Sequence, residues 1–437
     1  MSNKIPESLN KVAYTNARLL DPKTGLDAAG GVLTEGESIV DFGPGFFSDG
    51  VPEGVTEVNC GGKCLAPGLV DIRVQLREPG DEHQGTIASA VRAATKGGVT
   101  SFVCLPNTDP VIDDMSVVEF IARRARKLGL AKVYCYGAVT KGLEGAELAE
   151  MGMLSQSGAL AFTDGDKVIA DTQLMRQALS YAATFGLLIV QHPELKSLSG
   201  GAMNRGKLAT RLGLPGIPRE AEIILIERDI RLVEMTGGRV HFAHVSTSES
   251  VDVIRRAKDK GLDITCDTAP PYFALNETAV GDYRTFSKLS PPLRAEEDRL
   301  AIVAGIKDGT IDAIASDHAP QDEESKRLPF QLAAFGGIGL ETLLSVSLDL
   351  YHNGDMELLD VIGRLTSTPA DLLGLEAGRL EKGGAADLIL FDPDKGWKVD
   401  ADELVSKSKN SPFDGRPVQG RVIRTVIDGR AVFGADA

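Results

Sequence analysis

Six histidines occur in this chain of 437 residues, His83, His192, His241, His244, His318 and His352, and two of them stand where chemistry is expected. His192 follows the apolar run LLIVQ and His244 lies near the end of VHFAHV, while Asp164 follows ALAFT and Asp317 follows DAIAS. Two imidazoles and two carboxylates delivered by four strand-like runs form a donor set of the kind zinc accepts. Asp71, Arg73, Gln75 and Arg77 cluster at the run LVDIRV, and Asn107 follows SFVCL. Any one of these alone reads as a hydrogen-bonded strand end. Four in register on one rim read as a site.

A rim requires a barrel to carry it. Short apolar runs alternate with stretches of helical period, the pattern of repeated strand-helix units around a parallel sheet. The candidate strands are 69–74, 101–105, 132–139, 159–163, 187–191, 240–245, 263–268 and 312–316, which makes eight. Segments such as TIASAVRAATKGG and SESVDVIRRAKDKG lie between them, with Ser or Thr at the start and Gly at the end. We therefore expect an α/β chain with a (β/α)8 TIM barrel over 66–377, whose chemistry sits at the C-terminal ends of the strands. Residues 1–65 and 378–437 are instead rich in Gly and Asp turns between β-prone runs such as ADLILFD. They are expected to build one small β-sandwich from both chain ends.

Charge and cysteine usage narrow the setting. With 47 Lys and Arg against 62 Asp and Glu the net charge is −15, which opposes binding to nucleic acid or an anionic membrane. The N-terminal MSNKIPESLNK lacks the apolar core of a signal peptide, and no run of about 18 apolar residues is present. Five scattered cysteines without a C-x-x-C pair fit a reducing compartment, so the expected location is the cytoplasm.

The segments APGLVDIRVQLREPG, CLPNTDPVID, AFTD, VQHPE, GLPGIPREAE, AHVSTSESV, SPPLR, ASDHAP, GIGLET and SKSKNSPFDG resemble, in order and spacing, the dihydroorotases of the amidohydrolase superfamily along almost the whole chain. That resemblance implies a TIM barrel with a β-sandwich and the reversible cyclisation of N-carbamoyl-L-aspartate to dihydroorotate in pyrimidine synthesis. It implies Asp317 as the catalytic proton shuttle and Asp164, His192, His244 and Asp317 as metal positions. Arg77 and Asn107 then match substrate-carboxylate positions, and Ser290 and Gln321 further substrate positions. The family's binuclear zinc would lower the pKa of a bridging water and polarise the amide it attacks.

The departures from the pattern matter more than the matches. Where the family has His-x-His after the first strand, this chain has Arg73-Val74-Gln75. Arginine has no acceptor and a glutamine amide oxygen replaces imidazole poorly, so both are degenerate metal positions. Gln321 and Ser290 stand where His and Asn are usual, and Ala269-Pro270-Pro271-Tyr272-Phe273 replaces a TPHHL-like stretch. At most one zinc site is expected, and none if the site is fully degenerate. Arg73 is expected to supply cationic charge in its place, in contact with Asp317 or Asp164.

The sequence thus points to a dihydroorotase-like chain that is weakly active or inactive, with aspartate transcarbamoylase as the partner the resemblance implies and a homo-oligomer expected. The alternative is an active dihydroorotase or related cyclic amidase with a remodelled single-zinc site. Other signals are bland. The stretch 201–208 lacks the Ser or Thr of a P-loop. His241 reads as a core residue, His318 as structural, and His83 and His352 as exposed. The segment from Gln321 to Gly337 reads as a mobile lid, with Lys326 and Arg327 solvated.

Overall fold

The computed structural model describes residues 11–434. The polar N-terminal stretch and the outermost ends of both flanking segments lie outside the described residues. From the N-terminus the chain forms β1 (Lys11–Asp21), β2 (Leu26–Glu35), β3 (Ser38–Pro44), β4 (Thr56–Asn59) and β5 (Cys64–Pro67). Eight strands then alternate with helices: β6 (Leu69–Val74), β7 (Val99–Cys104), β8 (Lys132–Gly137), β9 (Ala159–Phe162) and β10 (Leu188–Gln191), followed after a two-strand ribbon, β11 (Met203–Asn204) and β12 (Gly216–Ile217), by β13 (Arg239–Phe242), β14 (Ile264–Thr268) and β15 (Ala313–Ile314). The chain ends in β16 (Leu388–Lys398), β17 (Pro417–Ile427) and β18 (Arg430–Phe433).

The eight central strands pair in parallel in the order of the chain, and a bridge between Val74 and His318 joins the first strand to the turn after the last. This is the TIM barrel. All eight apolar runs became strands, though β15 keeps only two residues of its run. The sequence dictates the helices around it by local means. Thr86 and Thr247 cap Ile87–Lys96 and Ser248–Asp259 with side chains that accept backbone N–H groups of the first turn. The apolar faces of these helices pack on the strands in one cluster that includes Val91, Phe102, Phe162, Phe242 and Ile254.

Both chain ends do meet in a separate module, an eight-stranded sheet ordered β18-β17-β16-β5-β1-β2-β3 with β4 on β1. The antiparallel pairing of β5 with β16, from Leu388 opposite Pro67 to Phe391 opposite Cys64, joins the two ends. A core of its own, including Tyr14, Leu19, Val32, Leu65 and Leu388, holds it together.

One glycine is fixed by a close approach of backbone. A Cβ on Gly97, at the end of the first barrel helix, would lie 2.0 Å from the Leu340 carbonyl oxygen. Gly97→Ala is therefore expected to cost about 1–3 kcal/mol, the usual range for overpacking. An unchanged urea midpoint would show that the backbone yields instead.

Candidate active site

Strand alternation makes the site. Asp71, Arg73 and Gln75 occupy i, i+2 and i+4 positions at and just beyond β6 and so share one face. Asp71 does not reach the rim. It is buried, accepts from the Ser316 and Arg73 backbone N–H groups at 3.0 and 3.2 Å, and leaves Oδ2 without a partner. Burial pushes its pKa up to about 7.

Arg73 is 2% exposed and lies at the centre of the cluster. Its Nε donates to Asp317 Oδ1 at 3.0 Å and its Nη2 to Asp166 Oδ1 at 3.2 Å. Burial works against its charge, yet Asp317 and Asp166 hold its pKa above the ordinary arginine value. Burial also works to raise the Asp317 pKa. His244 and Arg73 outweigh it and keep that carboxyl well below the usual range.

The ionised Asp317 only accepts, so the Nδ1 of His244, 3.1 Å from Asp317 Oδ2, carries a proton. On the other side of that ring, His244 Nε2 and His192 Nδ1 lie 2.7 Å apart and share one hydrogen bond. Burial, followed by His244 and Arg73, depresses the His192 pKa far below that of a free imidazole. Its Nε2 is the remaining ring nitrogen, 3.8 Å from Glu194 Oε2. A continuous chain therefore runs His192–His244–Asp317–Arg73–Asp166.

Asp166 is the site residue that sequence reasoning missed. Asp164 was the expected ligand, but both its oxygens are committed to the end of β8: Oδ1 to the N–H groups of Val139 and Thr140 at 3.1 and 2.9 Å, Oδ2 to the Thr140 hydroxyl. The structure does not bring it to the cluster. Between the two acids, Gly165 takes φ +70°, a left-handed turn that side chains resist, and the turn presents Asp166 instead. The signal was legible as Asp-Gly-Asp in place of Asp-Asp-Gly.

Around this core, Gln75 Nε2 donates to Asp166 Oδ2 at 2.8 Å, and Asn107 Nδ2 contacts both Gln75 Oε1 and Asp166 Oδ2 at 3.3 Å. Arg77 uses only Nε, on the Pro320 carbonyl at 3.1 Å, so its two Nη atoms have no hydrogen-bond partner among the described residues. Ser290 donates to Glu194 at 2.9 Å, and Gln321 Nε2 to the Phe335 carbonyl at 2.8 Å. Of eight non-glycine residues with positive φ among the described residues, three are here: Arg77 (65°), His244 (39°) and Asp317 (49°). Such backbone costs about 1–3 kcal/mol per residue and concentrates at functional sites.

Of the remaining histidines, His83 is exposed and the other three are structural. His241 is buried between Thr265 and Asp267, and His318 Nδ1 accepts from the Gly339 N–H. His352, expected in the open, is half-buried at a helix end against the Pro393 carbonyl.

These residues do not fit a zinc centre. Both His244 nitrogens and one of His192 are engaged in hydrogen bonds, and a guanidinium occupies the carboxylate a metal would need. Among the described residues no three His, Cys, Asp or Glu side chains form a metal-holding group.

An eight-stranded parallel barrel with a sheet from both chain ends and a charged rim defines an amidohydrolase-type TIM-barrel protein. Solved structures of the L-hydantoinase (dihydropyrimidinase) from Arthrobacter aurescens and the dihydropyrimidinase from Brevibacillus agri share the fold. Their TM-scores are 0.86 and 0.81, at 25% and 23% identity, over 98% and 97% of this chain and 96% and 95% of theirs. A dihydro-orotase-like family model matches residues 62–250. Proteins named dihydroorotase from Wolbachia sp. subsp. Drosophila simulans and Anaplasma phagocytophilum are 48% and 46% identical over 97% of this chain and 96% of their own. One from Pelobacter propionicus is 45% identical over 96% of this chain and 98% of its own. The chain belongs to the dihydroorotase family.

Proposed function

We propose that this chain interconverts N-carbamoyl-L-aspartate and dihydroorotate in the cytoplasm, as a dihydroorotase with a remodelled rim. The observation that carries this reading is the similarity, at 43–48% identity over 96–97% of the chain, to proteins bearing that name. The Nη atoms of Arg77, without a hydrogen-bond partner among the described residues, and the Asn107 amide both suit a substrate carboxylate. In this reading Asp317 moves the proton of the cyclising amide. A carboxylate held this acidic binds a proton weakly near neutral pH, so slow turnover is expected.

The Arg73–Asp317 ion pair favours a second reading, in which the fold is kept, catalysis is weak or lost, and a homo-oligomer of the chain serves as a scaffold for aspartate transcarbamoylase. One experiment separates the two. Dihydroorotate hydrolysis is followed on the purified chain, with its zinc content measured and its co-migration with purified aspartate transcarbamoylase tested by gel filtration. Turnover of about 1 s⁻¹ or more, within the common enzyme range, supports the first reading. No turnover together with a co-migrating complex supports the second. Stoichiometric zinc would overturn the mismatch between the donor set and a metal.

A further inference from the structure

Segment 321–337, expected as a mobile lid with a solvated Lys326, is tied down by that residue. Lys326 lies on the short helix Glu323–Arg327 and is only 3% exposed. Its Nζ donates to three carbonyls: Ala334 at 2.7 Å in the same segment, and Thr285 at 3.1 Å and Lys288 at 3.3 Å across the gap. The Thr285 hydroxyl returns a bond to the Lys326 carbonyl. Lys288 answers in the opposite direction. Also 3% exposed, it donates to the Gln331 and Ala333 carbonyls at 2.9 and 2.7 Å, and its ammonium lies 4.4 Å from the centre of the Phe335 ring.

Three donors per ammonium are thereby matched, Lys326 by three carbonyls and Lys288 by two carbonyls and a ring face. Neither has a carboxylate partner among the described residues. Two neighbouring cations buried without counter-ions carry a desolvation cost that hydrophobic residues of similar length would avoid. Burial, then Lys288, pushes the Lys326 pKa down to about 7. The hold is therefore made of real bonds and opposed by a real penalty, which is the energetics of a catch that releases.

The surroundings fit release. A cavity of about 1090 Å³ adjoins the segment, lined by its Lys326, Leu328 and Phe330, by Tyr283 and Thr285, and by residues of 398–415. The anchors of the catch also border the rim. Gln321 opens the segment, and Ser290, two residues beyond Lys288, bonds Glu194 beside His192.

We propose that Lys288 and Lys326 form a reciprocal ammonium catch that holds segment 321–337 closed beside the barrel mouth and lets it swing into the adjoining cavity. The catch does not depend on the reaction proposed above, because its readout is motion. Hydrogen exchange of peptides from 322–337 in the full chain tests it, with peptides from β1 and β2 as internal reference. Lys326→Met and Lys288→Met should each speed exchange in 322–337 by about tenfold or more, leave the reference unchanged, and give no further gain when combined. Phe335→Leu, which removes the ring face but keeps an apolar residue, should speed it about two- to fivefold and serves if the lysine variants do not fold. Unchanged exchange in 322–337, or acceleration shared equally by the reference peptides, would overturn the catch.

Discussion

Arg73→Met is expected to lose about 3–5 kcal/mol of stability, the range for removing one partner of a buried ion pair. Methionine keeps most of the volume, so the loss is electrostatic. It falls mainly on Asp317, whose side chain is 16% exposed and among the described residues keeps only His244 as partner; Asp166, at 45%, regains water. The asymmetry can be checked by urea unfolding. Asp166→Asn should cost under about 1 kcal/mol, as for a solvated pair, and adding Asp317→Leu to Arg73→Met should recover part of the loss, since a buried pair replaced by apolar groups is often nearly neutral. A single-variant loss below about 1 kcal/mol would mean that the guanidinium is not what holds the two carboxylates.

The same cluster separates what sequence can show from what it cannot. Runs such as SFVCL and the Thr86 and Thr247 caps act within a few residues, so the eight strands and the helices between them were legible, and with them the rim positions of Arg73, His192, His244 and Asp317. The Asp164 assignment failed for a local reason with a long-range consequence. The left-handed Gly165 exchanges one acid for its neighbour, and the Thr140 hydroxyl and amide that absorb Asp164 come from the turn after another strand. Lys326 failed for a purely tertiary reason. In QDEESKRLPF it looks solvated, and only carbonyls at Thr285, Lys288 and Ala334 turn it inward. The His192–His244 bond joins residues 52 apart and is likewise invisible before folding.

Arg73→His with Gln75→His is expected to convert the chain from one that takes no zinc to one that takes about one equivalent. The two positions share a face of the first strand, so two imidazoles there would point to the same place. Removing the guanidinium frees Asp317 Oδ1, and removing the Gln75 amide frees Asp166 Oδ2 from one of its two donors. Two imidazoles and two carboxylates complete a four-coordinate set. Elemental analysis after loading and gel filtration reads the stoichiometry, and melting supplies an independent readout. A folded-state ligand at 100 times its Kd adds about 2.7 kcal/mol, so zinc should raise the melting temperature of the double variant and leave that of the parent chain unmoved. Zinc uptake by the parent would contradict the role given to Arg73. A double variant that folds yet stays empty would place the obstacle one layer further out, in the Thr140 grip on Asp164 and the Gly165 turn, and would mean that the metal site was lost by reshaping the fourth strand's end as well as by substituting the first.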